Sequence, residues 1–334
     1  MKTSYPGRVL AVDLSTRSVS KEALPPSWIA DFLGGRGVGA RMLWENVPPH
    51  ADPLGEDNVL ILAPGVLTGT SAPCSGRTTL LAKGPATGHY LKSSVGGHLG
   101  ISLKLAGVDL LVIRGCADRP VSLVLDGGDG RIVPADTEWG MTVRETTASL
   151  RSRYGGDAEV TCIGPAGERL VRFAAVMTSV YNAAARGGIG AVMGSKRLKA
   201  IVVAPARGSV DVADAPAFRA AVQKARDALY NDTVAKDLHR FGTARDVDLL
   251  NELHLLPTRN FQRSTMEGDA YALSGRSWAE LGLLKRIVGC GGCIYCCHRF
   301  TRVPSGPFAG VSSGGPEYET VAAFGSGCGI TKIE

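Results

Sequence analysis

Glycine is the residue that most limits what this chain can fold into. It supplies 43 of 334 residues, close to 13% and about twice the ~7% of average proteins. The excess is uneven: 29 glycines fall in residues 1–208, only 4 in 209–288, and 10 in 289–334. Glycine tolerates positive φ and lets backbone approach closely, so three regions with different backbone needs are visible before any motif is named. No collagen period or low-complexity tract accompanies the excess, which therefore belongs to the loops of a folded protein. A chain that is 44% hydrophobic and 20% charged has a sizeable core, and its length suggests two domains of roughly 100–200 residues.

Other classes are disfavoured on the same footing. No apolar run approaches the ~18 residues of a membrane helix, and Met1 to Leu14 lacks the layout of a secretory signal, so a cytoplasmic location is expected. A formal charge of +6, with no long basic run and 6% aromatic residues, gives no nucleic-acid surface.

The first region, 1–208, reads as short β-branched runs bounded by Gly, Pro or Asp: Arg8–Leu14, Asn58–Ala63, Arg77–Ala82, Asp109–Arg114, Val121–Leu125, Glu159–Ile163 and Val171–Val176. Few helices interrupt them, chiefly Ser27–Leu33, Arg41–Val47 and Thr142–Tyr154. Many strands with sparse helices predict an α+β fold, β-rich layers around mixed sheet. From 209 to 334 the period changes. Phe218, Ala221, Val222, Ala225 and Leu229 form a helical stripe after Asp214, and Arg245–His254 and Trp278–Ile287 continue as helices. The boundary is expected near Gly208, in a linker-like stretch. A duplication of strand pairs within 1–208 stays open, since no period is apparent.

Eight cysteines are present, and Cys74, Cys116 and Cys162 read as buried, inert thiols. Cys290, Cys293, Cys296 and Cys297 instead place four thiols in eight residues, with glycines that let the backbone curl around a ligand. A disulfide framework suits a small secreted chain better. Zinc usually takes a second Cys pair or a His pair, and only His298 is near. An iron–sulfur cluster can use Cys290, Cys293 and Cys297, or Cys290, Cys293 and Cys296, with the vicinal thiol or distant Cys328 as the fourth ligand.

Five glycine-dense stretches mark residues 1–208, at 34–39, 64–69, 75–77, 93–100 and 186–190, three of them with arginine. Such loops point N–H groups at anions, and a guanidinium fork suits phosphate. No familiar nucleotide signature fits. A large cofactor with several phosphates fits better than tight turns alone.

Taken in order, Leu33 to Ala40, Ala63 to Gly69, Ser75 to Arg77, Gly96 to Gly100 with Leu103 to Asp109, Ile163 to Glu168, Arg186 to Lys196, Leu256 to Phe261, the Cys290 cluster and Gly315 to Glu319 resemble the tungsten-containing aldehyde ferredoxin oxidoreductases. The resemblance runs from about residue 7 to 330. It implies a tungsten ion, sometimes molybdenum, held by two pterins (tungstopterin) beside a [4Fe-4S] cluster. It implies a β-rich pterin-binding base over 1–208, and over 209–334 the start of a helical domain carrying the cluster. By position, Arg77, Ser94, Gly96, Gly97, Ala185, Arg186 and Gly187 would contact pterin, while Cys290, Cys293 and Cys297 would bind the cluster, with Cys296 a bystander. Either Glu317 or Glu319 would lie near the metal. Asn182 and Ala185 stand where members commonly carry arginine and glycine, and Ser94 where some carry asparagine.

The activity implied is oxidation of a small aldehyde to a carboxylic acid, with electrons leaving through the cluster to a ferredoxin. Relatives that reduce acyl thioesters imply a second reading, and an iron–sulfur electron-transfer fragment is a third. Family members run to roughly twice this length, with the fourth cluster cysteine in the remainder, so the resemblance implies a fragment or one piece of a split enzyme. A homodimer and a partner subunit both stay open.

Overall fold

The computed structural model describes residues 5–268 and 270–332. Two compact units divide the chain, Met1–Arg219 and Ala220–Glu334. In the first unit β1 (Arg8–Asp13), β2 (Ser18–Ala23), β3 (Leu60–Pro64), β4 (Thr78–Lys83), β5 (Tyr90–Val95) and β6 (Leu110–Arg114) form one sheet in the order β2-β1-β6-β3-β4-β5. Helices α1 (Pro26–Phe32) and α2 (Gly35–Asn46) precede β3, and α3 (Leu99–Leu105) precedes β6. A second sheet follows from β7 (Val121–Asp126), β8 (Asp129–Pro134), β9 (Glu159–Cys162), β10 (Val176–Thr178), β11 (Asn182–Ala184) and β12 (Leu198–Val203), in the order β8-β7-β12-β9-β10-β11. Its helices are α4 (Val143–Tyr154), α5 (Pro165–Glu168) and α6 (Ile189–Ser195).

Counted from its own first strand, each sheet runs 2-1-6-3-4-5. In each the first and sixth strands are the parallel pair and every other pairing is antiparallel. The unit is thus built twice from one topology, which settles the duplication the sequence left open.

Strand periodicity builds the layers. Leu10, Val12, Leu62, Leu80, Leu111 and Ile113 of the first sheet share a core with Leu123, Leu125, Ile201 and Val203 of the second, and with Leu103 of α3 and Val192 of α6. The alternate residues Val9, Ile61, Leu81, Leu110 and Val112 face the other way and meet Val38, Met42 and Leu43 of α2. On the second sheet Val124, Val160, Ala200 and Val202 meet Leu150 of α4. Sheets covered on both faces explain runs that are apolar throughout. A capping box starts α4, with Glu145 N–H donating to Thr142 Oγ1 and Thr142 N–H to Glu145 Oε2.

The rest of the chain carries α7 (Ala215–Asn231), α8 (Thr233–Phe241), α9 (Val247–Glu252) and α10 (Gly275–Glu280). An antiparallel sheet β13 (Leu284–Val288), β14 (His298–Arg302), β15 (Ser312–Gly314) follows, then α11 (Tyr318–Phe324). Val247, Leu256, Leu273, Trp278, Leu283 and Val321 make a separate core.

Several sequence expectations are corrected. The stretch Gly34–Gly39 is the start of α2 and no loop, because its glycines let the helix lie close on the sheet: a Cβ on Gly39 would come 2.8 Å from Leu81 Cδ1. Strand β10 begins only at Val176. Trp278–Ile287 is not one helix, since α10 ends at Glu280 and Leu284 enters β13. The stretch after Glu317 reads in sequence as one helix to the end of the chain, but α11 stops at Phe324, before Gly325 and Gly327; Ile333 and Glu334 lie outside the described residues. Edge strands such as β2 escaped notice because their residues are polar and mostly exposed.

Candidate functional site

Strands β5 and β11 are each the last strand of their sheet. Each passes through a glycine turn into a short buried helix and then into the parallel strand, α3 to β6 and α6 to β12. Ser94 lies near the end of β5, with Gly96 and Gly97 in the turn; Ala185, Arg186 and Gly187 form the corresponding turn after β11. The duplicated topology therefore puts the two groups of expected pterin contacts at equivalent places.

Tertiary contacts also bring them side by side. Arg186 N–H donates to Ser93 Oγ at 3.2 Å, and a side chain on Gly97 would meet the Asn182 amide at 3.0 Å. At Gly188, with φ of +83°, a Cβ would lie 2.0 Å from the Arg172 carbonyl oxygen, so only glycine closes the second turn. Arg77 immediately precedes β4, the neighbour of β5, and its carbonyl accepts from Gly65 N–H at 3.3 Å. Ser94 and Thr79 hydroxyls are 3.4 Å apart across β4 and β5. The side chains of Arg77 and Arg186 are exposed. Two forks free to meet solvent, beside paired glycine turns, can grip the phosphates of two ligands.

The cysteine motif is the tip of a β-hairpin. Val288 of β13 pairs with His298 of β14, and residues 289–297 form the loop between them. Cys293 N–H donates to the Cys290 carbonyl at 3.1 Å, closing a tight turn. None of the four thiols is in a disulfide among the described residues, and all are of intermediate exposure. Cys296 adopts φ of +45° and its Sγ donates to the Cys293 carbonyl at 3.1 Å, so its thiol is occupied within the loop. The Cys297 thiol is pushed up to about 11, first by burial, then by the Glu317 carboxylate and by Cys290 and Cys293. Its neighbours are thus close enough to be felt, and the donor set of Cys290, Cys293 and Cys297 fits a group that wants several thiolates around it. Among the described residues no three His, Cys, Asp or Glu side chains converge to hold a single metal ion.

Glu317 and Glu319 differ sharply. Glu317 precedes α11, and its Oε1 lies 2.6 Å from His298 Nδ1 while Oε2 accepts from Thr243 Oγ1 at 2.5 Å. Thr243 Oγ1 in turn accepts from Tyr318 N–H at 2.9 Å. Glu319 lies exposed in the first turn of α11. Sequence reasoning missed Thr243 and Arg299, whose relation to the motif is through space; only the His next to Cys297 offered a local signal.

The match to known proteins is extensive. Residues 9–205 match the family model described as aldehyde ferredoxin oxidoreductase, N-terminal domain, and residues 220–334 match that for domains 2 and 3. The chain is 41% identical over 98% of its length to a tungsten-containing aldehyde ferredoxin oxidoreductase of Thermococcus kodakarensis, covering 53% of that protein. It is 30% identical to an aliphatic sulfonate oxidoreductase, WOR-like subunit, of Pyrococcus furiosus, over 99% of this chain and 55% of the other. A solved structure, the active site complex BamBC of benzoyl coenzyme A reductase with 1,5-dienoyl-CoA, matches with a TM-score of 0.82 and 27% identity, over 98% of this chain and 52% of the other. The chain spans about half the length of the relatives it matches. No helix among the described residues is long and apolar enough to cross a membrane.

Proposed function

Because the chain belongs to the aldehyde ferredoxin oxidoreductase family, we propose that it provides the pterin base and cluster loop of a tungsten bis-pterin oxidoreductase acting on a small aldehyde. The reaction is RCHO plus water giving RCOOH, two protons and two electrons, the electrons leaving to a ferredoxin or similar iron–sulfur carrier in the cytoplasm. The observation that supports this reading is the pair of equivalent glycine turns after β5 and β11, joined by the Arg186 N–H to Ser93 Oγ bond; the reading assigns one turn to each pterin. When bound, the tungstopterin supplies the two-electron redox chemistry and the [4Fe-4S] cluster hands electrons on singly.

The chain's own residues bind, orient and move protons. Arg77 and Arg186 hold pterin phosphates through their guanidinium forks, and the backbone at Ser94, Gly96, Gly97, Ala185 and Gly187 supplies close N–H contacts. Cys290, Cys293 and Cys297 donate thiolates to the cluster, leaving Cys296 to the Cys293 carbonyl. Glu317 takes up a proton as the aldehyde gains oxygen, its two oxygens aimed by His298 and Thr243. Glu319, exposed on α11, is left out of that role. The likeness to the benzoyl coenzyme A reductase complex supports a second reading, reduction of an acyl thioester on the same scaffold.

Isolation without oxygen, followed by metal analysis and an aldehyde-dependent dye-reduction assay, tests the proposal. Tungsten or molybdenum together with iron, and reduction on adding aldehyde, is the expected result. Iron without tungsten or molybdenum points to an electron-transfer role, and zinc alone overturns the cluster assignment.

A further inference from the structure

Arg299, in β14 and two residues beyond Cys297, is a buried cation with no bonded anion among the described residues. Its side chain is among the largest fully enclosed in the molecule, and the residue is 2% exposed. Nη1 donates to the carbonyl oxygens of Cys296 at 2.7 Å and His298 at 3.0 Å. Nη2 donates to those of Leu238 at 3.0 Å and of His239. Leu238 and His239 lie in the last turn of α8, so one guanidinium ties the negative end of a helix dipole to the cluster loop. Nε is buried with no hydrogen-bond partner among the described residues. The seat is shaped from the helix side too. Gly242, the residue closing α8 with φ of +73°, would place a Cβ 2.9 Å from the Cys297 carbonyl oxygen and 3.3 Å from Arg299 Cγ.

Enclosing a guanidinium among neutral carbonyls alone is costly, and burial pulls its pKa below the ordinary arginine value; the anions that act against this through space are Glu317, Cys297 and Cys296. An iron–sulfur cluster held by thiolates is net anionic and becomes more so on reduction. A fixed cation beside it therefore favours the reduced form.

We propose that Arg299 is the resident countercharge of the cluster site, a positioning residue that fastens the cluster loop to the end of α8 and raises the reduction potential of the cluster. The inference rests on the reading that Cys290, Cys293 and Cys297 hold a cluster.

Redox titration followed by electron paramagnetic resonance, on the holoenzyme isolated without oxygen, is the test, with Arg299→Gln and Arg299→Lys beside the parent. Arg299→Gln is expected to shift the cluster midpoint to more negative potential. Arg299→Lys keeps the charge but cannot bond four carbonyls, so it should hold the parent potential while losing iron several-fold faster to a chelator. A parent-like potential in Arg299→Gln overturns the proposal, as does a shift in Arg299→Lys as large as in Arg299→Gln. Should Arg299→Gln fail to fold, Arg299→Lys decides: faster iron loss at unchanged potential supports the proposal, and a lowered potential or parent-like iron retention overturns it. A parent enzyme without cluster iron would instead overturn the reading of the thiols and the inference with it. A parent cluster indifferent to Arg299 overturns the inference alone.

Discussion

At the scale of single residues, chemistry depends on which of several neighbours is free to act. Cys296 and Cys297 are adjacent in sequence, yet Cys296 gives its thiol to the Cys293 carbonyl and Cys297 does not. Cys297→Ser should abolish the broad visible absorption of the cluster, whereas Cys296→Ser should spare it; the opposite pattern in anaerobic spectra would reverse the ligand choice. In the cluster-free chain, burial first and Glu317 next hold the Cys297 thiol protonated until about pH 11. Only the thiolate reacts with alkylating agents. Iodoacetamide labelling followed by peptide mapping should therefore show Cys297 reacting little through pH 9–10 and more as pH rises past 11. For the glutamates, Glu317→Gln should lower kcat by ~10²–10⁴-fold with metal content unchanged. Glu319→Gln should stay within about two-fold, both read by the aldehyde-dependent dye assay. The resemblance offers two glutamates for this role; Glu317 is the one that meets His298 and Thr243, 19 and 74 residues away.

At the scale of elements, the first unit depends on short connections that are tightly packed. Lys196 caps the end of α6 and is 1% exposed. Its Nζ donates to the carbonyls of Asn58, at 2.5 Å, and Gly115, at 3.0 Å, so the second sheet of the first unit is pinned to strand ends of the first sheet. Burial lowers its pKa to about 8, against 10.5 in an unfolded chain. Between those values the unfolded chain binds more protons, so Lys196 adds stability as pH rises, by up to about 1.4 kcal/mol per pH unit. The stability difference between the parent and Lys196→Met should therefore move in favour of the parent from pH 8 to pH 10, as measured by denaturant unfolding; a flat difference would mean that folding leaves the Lys196 pKa unchanged. The hairpin β13–β14 illustrates the converse limit of sequence reading. The cysteine spacing was plain, but Leu284–Val288 passed for helix because an apolar residue at each end of LKRIV suits a helical period as well as a strand.

At the scale of the whole molecule, the two units have separate cores, and the cysteines of the motif belong to the second. Removing iron with a chelator should lower the melting of the second unit and leave the first within about 1–2 °C, a shift below the several degrees that 1 kcal/mol produces. Differential scanning calorimetry with and without chelator checks this, and a common drop of both transitions would contradict it.

What the sequence determined by itself was local: the spacing of three thiols, the clustering of glycines, and the continuous apolar runs of strands buried on both faces. Those features are fixed by covalent neighbours and by the periods of helix and strand, so a single chain displays them. What only the tertiary structure decided was non-local. Strand β1 pairs with β6 about a hundred residues away, two sheets repeat one order without repeating a sequence, and the turns after β5 and β11 meet at Arg186 and Ser93. The seating of Arg299 between the end of α8 and the cysteine loop belongs here too. Such pairings leave no periodic trace, because they are selected by the burial they achieve together and not by the residues next to them in the chain.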